Sequence, residues 1–126
     1  MQLDPVQTDR APAAIGPYNQ AIAAGGMVFC SGQIALDPES GELVGDTAAA
    51  QASRAMDNLS AVVEAAGSGM DRVVRTTIYL ASMDDFAAVN EVYTKYFPGV
   101  QPARATVAVK TLPKNALVEI DCIAVK

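Results

Sequence analysis

Between Thr47 and Ala66 the apolar residues Ala48, Ala52, Ala55, Leu59, Val62, Val63 and Ala66 recur at three- and four-residue spacing. That period draws one stripe along an α-helix, and a stripe so long must be buried against a partner surface. Asp46 or Thr47 can cap its start, and Gly67 suits the left-handed position after its last turn. The partner is a sheet, because the flanking segments read as strands. Residues 19–30 form two short ones around Gly25-Gly26, a dipeptide suited to a tight hairpin turn. Asp37-Pro38-Glu39-Ser40-Gly41 marks a second turn, between the apolar pieces 33–36 and 42–44. Residues 71–81, rich in Val, Thr, Ile and Tyr, read as a central strand.

Ser82-Met83-Asp84-Asp85 opens a second helix with a variant capping box, Ser82 with Asp85. Phe86, Val89, Val92, Tyr93, Tyr96 and Phe97 continue it until Pro98-Gly99. Residues 103–109 and 117–125 are two more strands, joined by a loop containing Pro113-Lys114-Asn115. Strands, helix, strand, helix, strands: this order predicts an α+β fold, a mixed sheet with two helices packed on one face. At 126 residues and 51% apolar, the chain is predicted to be one domain over 1–126 with a core that needs no staple. The opposite face of the sheet is apolar as well, which predicts its burial in an oligomer.

Composition removes several classes of function. No apolar run reaches the roughly 20 residues that span a bilayer, and the start, Met1-Gln2-Leu3-Asp4-Pro5, does not read as a signal peptide. The expectation is a cytoplasmic protein without membrane contact. A net charge of −5 argues against a nucleic-acid-binding face. Cys30 and Cys122 lie in apolar segments and read as buried, reduced thiols. With no histidine in the chain, Ser-His-Asp and Cys-His catalysis and every His-containing zinc site fall away. No metal is expected. An enzyme built here must use Arg, carboxylates, hydroxyls, amides, backbone groups and water.

Among such groups Arg104 stands out, because it opens the otherwise apolar strand Ala105-Thr106-Val107-Ala108-Val109. A guanidinium is a fixed fork that matches a carboxylate bidentately; on position alone, a cross-strand salt bridge to Glu119 or Asp121 is the commoner meaning. Glu119 either lines a solvated or paired face with Asp121, or, in its apolar strand, orients and deprotonates a water. If the last two strands pair through the Pro113 loop, Arg104 and Glu119 share a face about 13 Å apart, room for one small acid and a water. Tyr18 is either exposed by the turn before it or packed in the core. Ser31-Gly32 reads as a plain turn or as a hydroxyl and an amide facing a ligand. Asn90 is a ligand contact or a surface position.

Taken together, these segments form a pattern. Ile15-Gly16-Pro17-Tyr18-Asn19-Gln20-Ala21, Phe29-Cys30-Ser31-Gly32-Gln33, Val89-Asn90-Glu91-Val92-Tyr93, Pro102-Ala103-Arg104-Ala105, Leu112-Pro113-Lys114 and Val118-Glu119-Ile120 closely resemble the Rid/YjgF family, in order, from about residue 15 to 125. Within it they resemble the RidA subgroup, the 2-iminobutanoate/2-iminopropanoate deaminases. The resemblance implies a chorismate-mutase-like fold and a homotrimer with clefts between subunits. It implies that Arg104 holds a substrate carboxylate and that Glu119 positions the hydrolytic water. Tyr18, Ser31, Gly32 and Asn90 match cleft residues. Thr106 departs from members that carry cysteine there, and keeps a small hydroxyl in the cleft. The implied activity is cofactor-free hydrolysis of enamine and imine acids (2-aminoacrylate/2-iminopropanoate, 2-aminocrotonate/2-iminobutanoate) to 2-keto acids and ammonia. The alternative is a non-catalytic module that binds small 2-keto acids or similar carboxylates.

Overall fold

The computed structural model describes residues 1–126. The strand-forming segments assemble into one six-stranded sheet: β1 (Asp4–Val6), β2 (Ala21–Ala24), β3 (Met27–Gln33), β4 (Val73–Leu80), β5 (Ala103–Ala108) and β6 (Val118–Val125). Their order across the sheet is β1-β2-β3-β6-β4-β5. Every neighbouring pair is antiparallel except β4–β5, which is parallel. A parallel pair needs a crossover, and helix α2 (Phe86–Thr94) supplies it.

Helix α1 (Ala48–Ala65) lies within a residue of each sequence-predicted end. Thr47 Oγ1 accepts the Ala50 amide at 3.1 Å. At the other end the Gly67 and Ser68 amides return to the Glu64 and Val63 carbonyls at 3.0 and 3.1 Å. That Schellman pair needs the left-handed backbone that Gly67 adopts, with φ of 86°. The stripe from Ala48 through Leu59 to Val63 is buried, facing Val28, Ile78, Leu80, Val118 and Ile120 of the sheet. Each large aliphatic side chain so buried contributes about 1.5–3 kcal/mol. Both helices cover this one face. The other carries Phe29, 45% exposed, and Val107, 44% exposed, as the two-sided apolar pattern foretold.

The differences from the sequence reading are local and have identifiable causes. β1 was not foreseen, because three residues containing a proline carry no alternation. The turn at Asp37–Gly41 forms, but its flanks make only the isolated bridge between Leu36 and Leu43. The second helix is preceded by a 3₁₀ turn at Met83–Asp85, and Ser82 Oγ accepts the Asp84 amide at 3.1 Å instead of the Asp85 amide. α2 ends at Thr94, before Tyr96 and Phe97. Ser31 and Gly32 lie inside β3, at a register shift between Cys30 and Gln33, instead of in a turn after the strand.

One difference reorganises the site. The last two strands do not pair; β4 lies between them. Arg104 aligns with Thr76 of β4, and Thr76 with Cys122 of β6. Thr76 and Cys122 point into the helix-covered core, so Arg104 points to the helix side too. Glu119 lies three positions from Cys122, and strand alternation turns it to the other face. Two strand spacings and three residues separate their Cα atoms by about 14 Å. The shared face expected from pairing the last two strands is therefore wrong for one copy of the chain.

Candidate active site

Arg104 sits on an aromatic bed that α2 builds. Its guanidinium carbon is 5.0 Å from the Tyr93 ring centroid and 5.6 Å from that of Phe86. Nη1 donates to Asn90 Oδ1 at 2.7 Å. Phe86, Asn90 and Tyr93 are four and three residues apart, hence on one side of the helix. Tyr93 is itself fixed: its hydroxyl and that of Thr76 share a buried hydrogen bond of 2.7 Å, and burial raises the phenol above its ordinary pKa. The salt bridge weighed against a ligand role is absent. The two ion pairs of the chain are Arg10–Glu64 at 3.4 Å and Arg72–Asp71 at 3.9 Å, so Arg104 has no acidic partner. A hollow of about 370 Å³ opens beside it, lined by Asn90, Tyr93, Thr94, Gln101, Pro102 and Arg104. Thr106 lies two residues along the same face, its hydroxyl oxygen buried without a hydrogen-bond partner.

Glu119 belongs to a second hollow of about 490 Å³, lined among others by Ile15, Tyr18, Ser31, Gly32, Lys114 and Glu119. Burial, and then the like charge of Asp121 two residues on, raise the Glu119 carboxyl above its ordinary pKa. Asp121 in turn accepts the Tyr79 hydroxyl at 3.0 Å. Ser31 is held at both ends: its amide donates to the Gln20 carbonyl at 2.9 Å and its hydroxyl to the Asn19 carbonyl at 2.6 Å. The hydroxyl oxygen keeps lone pairs that can accept from a ligand N–H. The loop that brings Lys114 to this hollow holds Lys114 and Asn115 at φ of 56° and 55°.

Gly32 is required by proximity. A Cβ there would lie 2.9 Å from Glu119 Cδ and would collide with Oε2. Gly32→Ala must therefore push the carboxylate out of place while leaving the core alone. In any reaction that uses this carboxylate, kcat/KM is expected to fall by about tenfold or more, with the denaturation midpoint nearly unchanged; a matched loss of stability would show instead that the glycine serves the fold.

The seven sequence-predicted site residues thus fall into two groups, Arg104, Asn90 and Thr106 in one and Glu119, Tyr18, Ser31 and Gly32 in the other. Phe86 and Tyr93, read from sequence only as helix stripe, were missed as site residues. Their spacing to Asn90 was the available signal. Lys114, quoted within a motif, lines the second hollow. The facing Cys30 and Cys122 are both buried and unoxidised in adjacent strands. The hydrogen bond from Cys30, then burial, hold the Cys122 thiol far above its usual range, so Cys122 does not read as a nucleophile.

No helix of the chain is long and apolar enough to cross a membrane. What the fold and the two hollows define is a small α+β protein with an arginine-carboxylate pair split across a sheet. The family model described as Endoribonuclease L-PSP matches residues 8–126, and the chain belongs to that family, the Rid/YjgF family. The RutC family protein slr0709 of Synechocystis is 51% identical over 127 residues, covering 99% of this chain and 98% of that one. The 2-iminobutanoate/2-iminopropanoate deaminase of Mus musculus is 47% identical, over 96% of this chain and 90% of its own. Among solved structures, E. coli TdcF with bound serine superposes with a TM-score of 0.93 at 40% identity, covering 98% of each chain.

Proposed function

We propose that the chain is a cofactor-independent deaminase that hydrolyses imine and enamine forms of small 2-keto acids, 2-iminopropanoate and 2-iminobutanoate among them. The observation that carries this reading is Arg104: a guanidinium without an acidic partner, preset by Asn90 and two aromatic rings, beside an open hollow. Such a group suits a carboxylate. The mouse relative's name and the serine in TdcF add support from small amino-acid-like ligands.

The active cleft is completed between copies of the chain. Arg104 and Glu119 face opposite sides of the sheet, and the uncovered apolar face offers the surface for assembly, which we take to be a homotrimer. A heterologous contact repeated around an axis would bring the Arg104 hollow of one copy to the Glu119 hollow of the next. There Arg104 grips the carboxylate and holds the C=N carbon near a water, supplying proximity. Glu119 accepts a proton as the water oxygen bonds to that carbon and the C=N pair moves onto nitrogen. Glu119 hands that proton to the amine, which leaves as ammonia, and takes up the proton of the new hydroxyl as its oxygen becomes the keto oxygen. Ser31 and Tyr18 contact the reacting end, and the iminium carbon is electrophilic enough to need no covalent nucleophile. RNA cleavage, which the family descriptor names, finds less support in a histidine-free chain of net charge −5.

The test couples the protein to a serine or threonine dehydratase in the presence of semicarbazide, which traps the released imine as a semicarbazone. Less semicarbazone with added protein, at equal keto acid, is the expected result. Tight binding of 2-oxobutanoate by calorimetry with no effect on trapping would instead identify a binding module.

A further inference from the structure

Residues 7–20 connect β1 to β2 without joining the sheet. Within residues 7–19 the sole backbone–backbone hydrogen bond runs from the Tyr18 amide to the Gly16 carbonyl, 2.8 Å. Yet this strap supplies Pro12, Ala13 and Ile15 to the wall of the Glu119 hollow. Its first residues are tied down mainly by one buried side chain, with Arg10 paired to Glu64 at the surface and the Asn19 carbonyl accepting the Ser31 hydroxyl. Gln20 is 3% exposed, and its Nε2 donates to the carbonyls of Pro12 at 2.8 Å, Thr8 at 3.0 Å and Ala11 at 3.3 Å. Its Oε1 accepts the Thr8 amide at 2.7 Å. The carboxamide thereby stands in for a missing strand, satisfying main-chain groups that no ladder reaches. The same residue's own carbonyl accepts the Ser31 amide, so one position joins the strap to the strand that carries Ser31 and Gly32.

We infer that Gln20 is a positioning residue: its buried carboxamide clamps residues 8–12 so that Pro12, Ala13 and Ile15 form a fixed wall of the Glu119 hollow. The role in turnover rests on the deaminase reading; the clamp does not. Without the clamp the wall is free to move, and ground state and transition state lose the same enclosure. Arg104 and Glu119, on other elements, stay where they are, Ser31 keeps its main-chain partner, and Tyr18, beyond the clamped residues 8–12, keeps its own turn on the Gly16 carbonyl. Loss of uniform binding raises KM and spares kcat.

The strap contains its own reporter, because Arg10 precedes Ala11, which is 1% exposed. Trypsin cutting after Arg10, followed by mass spectrometry on the native full chain, reads the clamp directly. Gln20→Met keeps the length and removes every polar contact. Val63→Ala, on the buried face of α1, gives a comparison of lowered stability that keeps Gln20, Thr8 and the Arg10–Glu64 ion pair. We expect Gln20→Met to be cut after Arg10 about tenfold faster than wild type, with KM raised about tenfold and kcat within about threefold, the scale of a few lost hydrogen bonds. Val63→Ala should show neither change. Thr8→Pro deletes the amide that Oε1 accepts, and with it the hydroxyl that accepts the Arg10 amide at 3.3 Å; read against Thr8→Val, which loses the hydroxyl and keeps the amide, it should move both readouts the same way by less, and decides the matter if Gln20→Met does not fold.

Cleavage no faster than in Val63→Ala overturns the clamp. Faster cleavage with unchanged KM overturns the positioning role. If wild type proves inactive on imines, the deaminase reading alone fails, and the wall is then judged by Kd for 2-oxobutanoate: a tenfold weakening in Gln20→Met supports it, and equal or absent binding overturns it.

Discussion

Arg104→Ala is expected to lower kcat/KM for 2-iminopropanoate by about 10²–10³-fold, the loss of one charged, doubly hydrogen-bonded anchor at about 2–5 kcal/mol. Arg104→Lys should recover little, because an ammonium cannot form the planar fork or lie flat on Tyr93 and Phe86. Stability should hardly change, since the side chain is exposed and lacks an ion-pair partner. The variant also tests assembly. If each cleft takes Arg104 from one copy and Glu119 from the next, randomly mixed Arg104→Ala and Glu119→Gln subunits regain intact clefts. One subunit of each kind in the correct order is needed, so about a quarter of wild-type activity should return. Two inactive variants that stay inactive after mixing would place the whole site within one copy, or nowhere.

Glu119→Gln is the second large effect. Removing a general base costs about 10²–10⁴-fold, and it should fall on kcat, leaving 2-oxobutanoate binding nearly intact. The pH profile carries a sign. In the proposed reaction Glu119 takes a proton and so must be ionised, and its pKa is raised by burial and by Asp121. Activity should therefore fall as pH drops, at a pH above the ordinary carboxylate range. Asp121→Asn removes the neighbouring negative charge, so the limb should move to lower pH while the plateau changes little. A limb that stays put in that variant would show that Asp121 does not set it.

Much of this molecule was legible in its sequence because the relevant forces are local. The α1 stripe, the Thr47 cap and the Gly67 exit depend on residues within a few positions of each other, and they appear where the spacing puts them. Gly25-Gly26 makes its hairpin turn for the same reason, both glycines taking positive φ. The Ser82 box shifted by one residue because a 3₁₀ turn is an equally local alternative for those amides. Single residues such as Arg104 and Glu119 could be picked out by chemical type. Their partners could not. Asn90, Phe86 and Tyr93 are adjacent by helical spacing, but nothing in that spacing says that an arginine from another strand lies on them.

The chain's order of letters was enough to determine both helices and every strand but β1, the core stripe, the exclusion of histidine chemistry and the family. What tertiary structure alone decided was where the strands sit. By inserting β4 between β5 and β6, the fold sends Arg104 and Glu119 to opposite faces, and it gathers residues 8–12 of the N-terminal strap around one buried glutamine. Strand order is a choice among long-range pairings whose local preferences are nearly equal, and it is settled by burying the helix stripes together. That collective term has no signature at any one position.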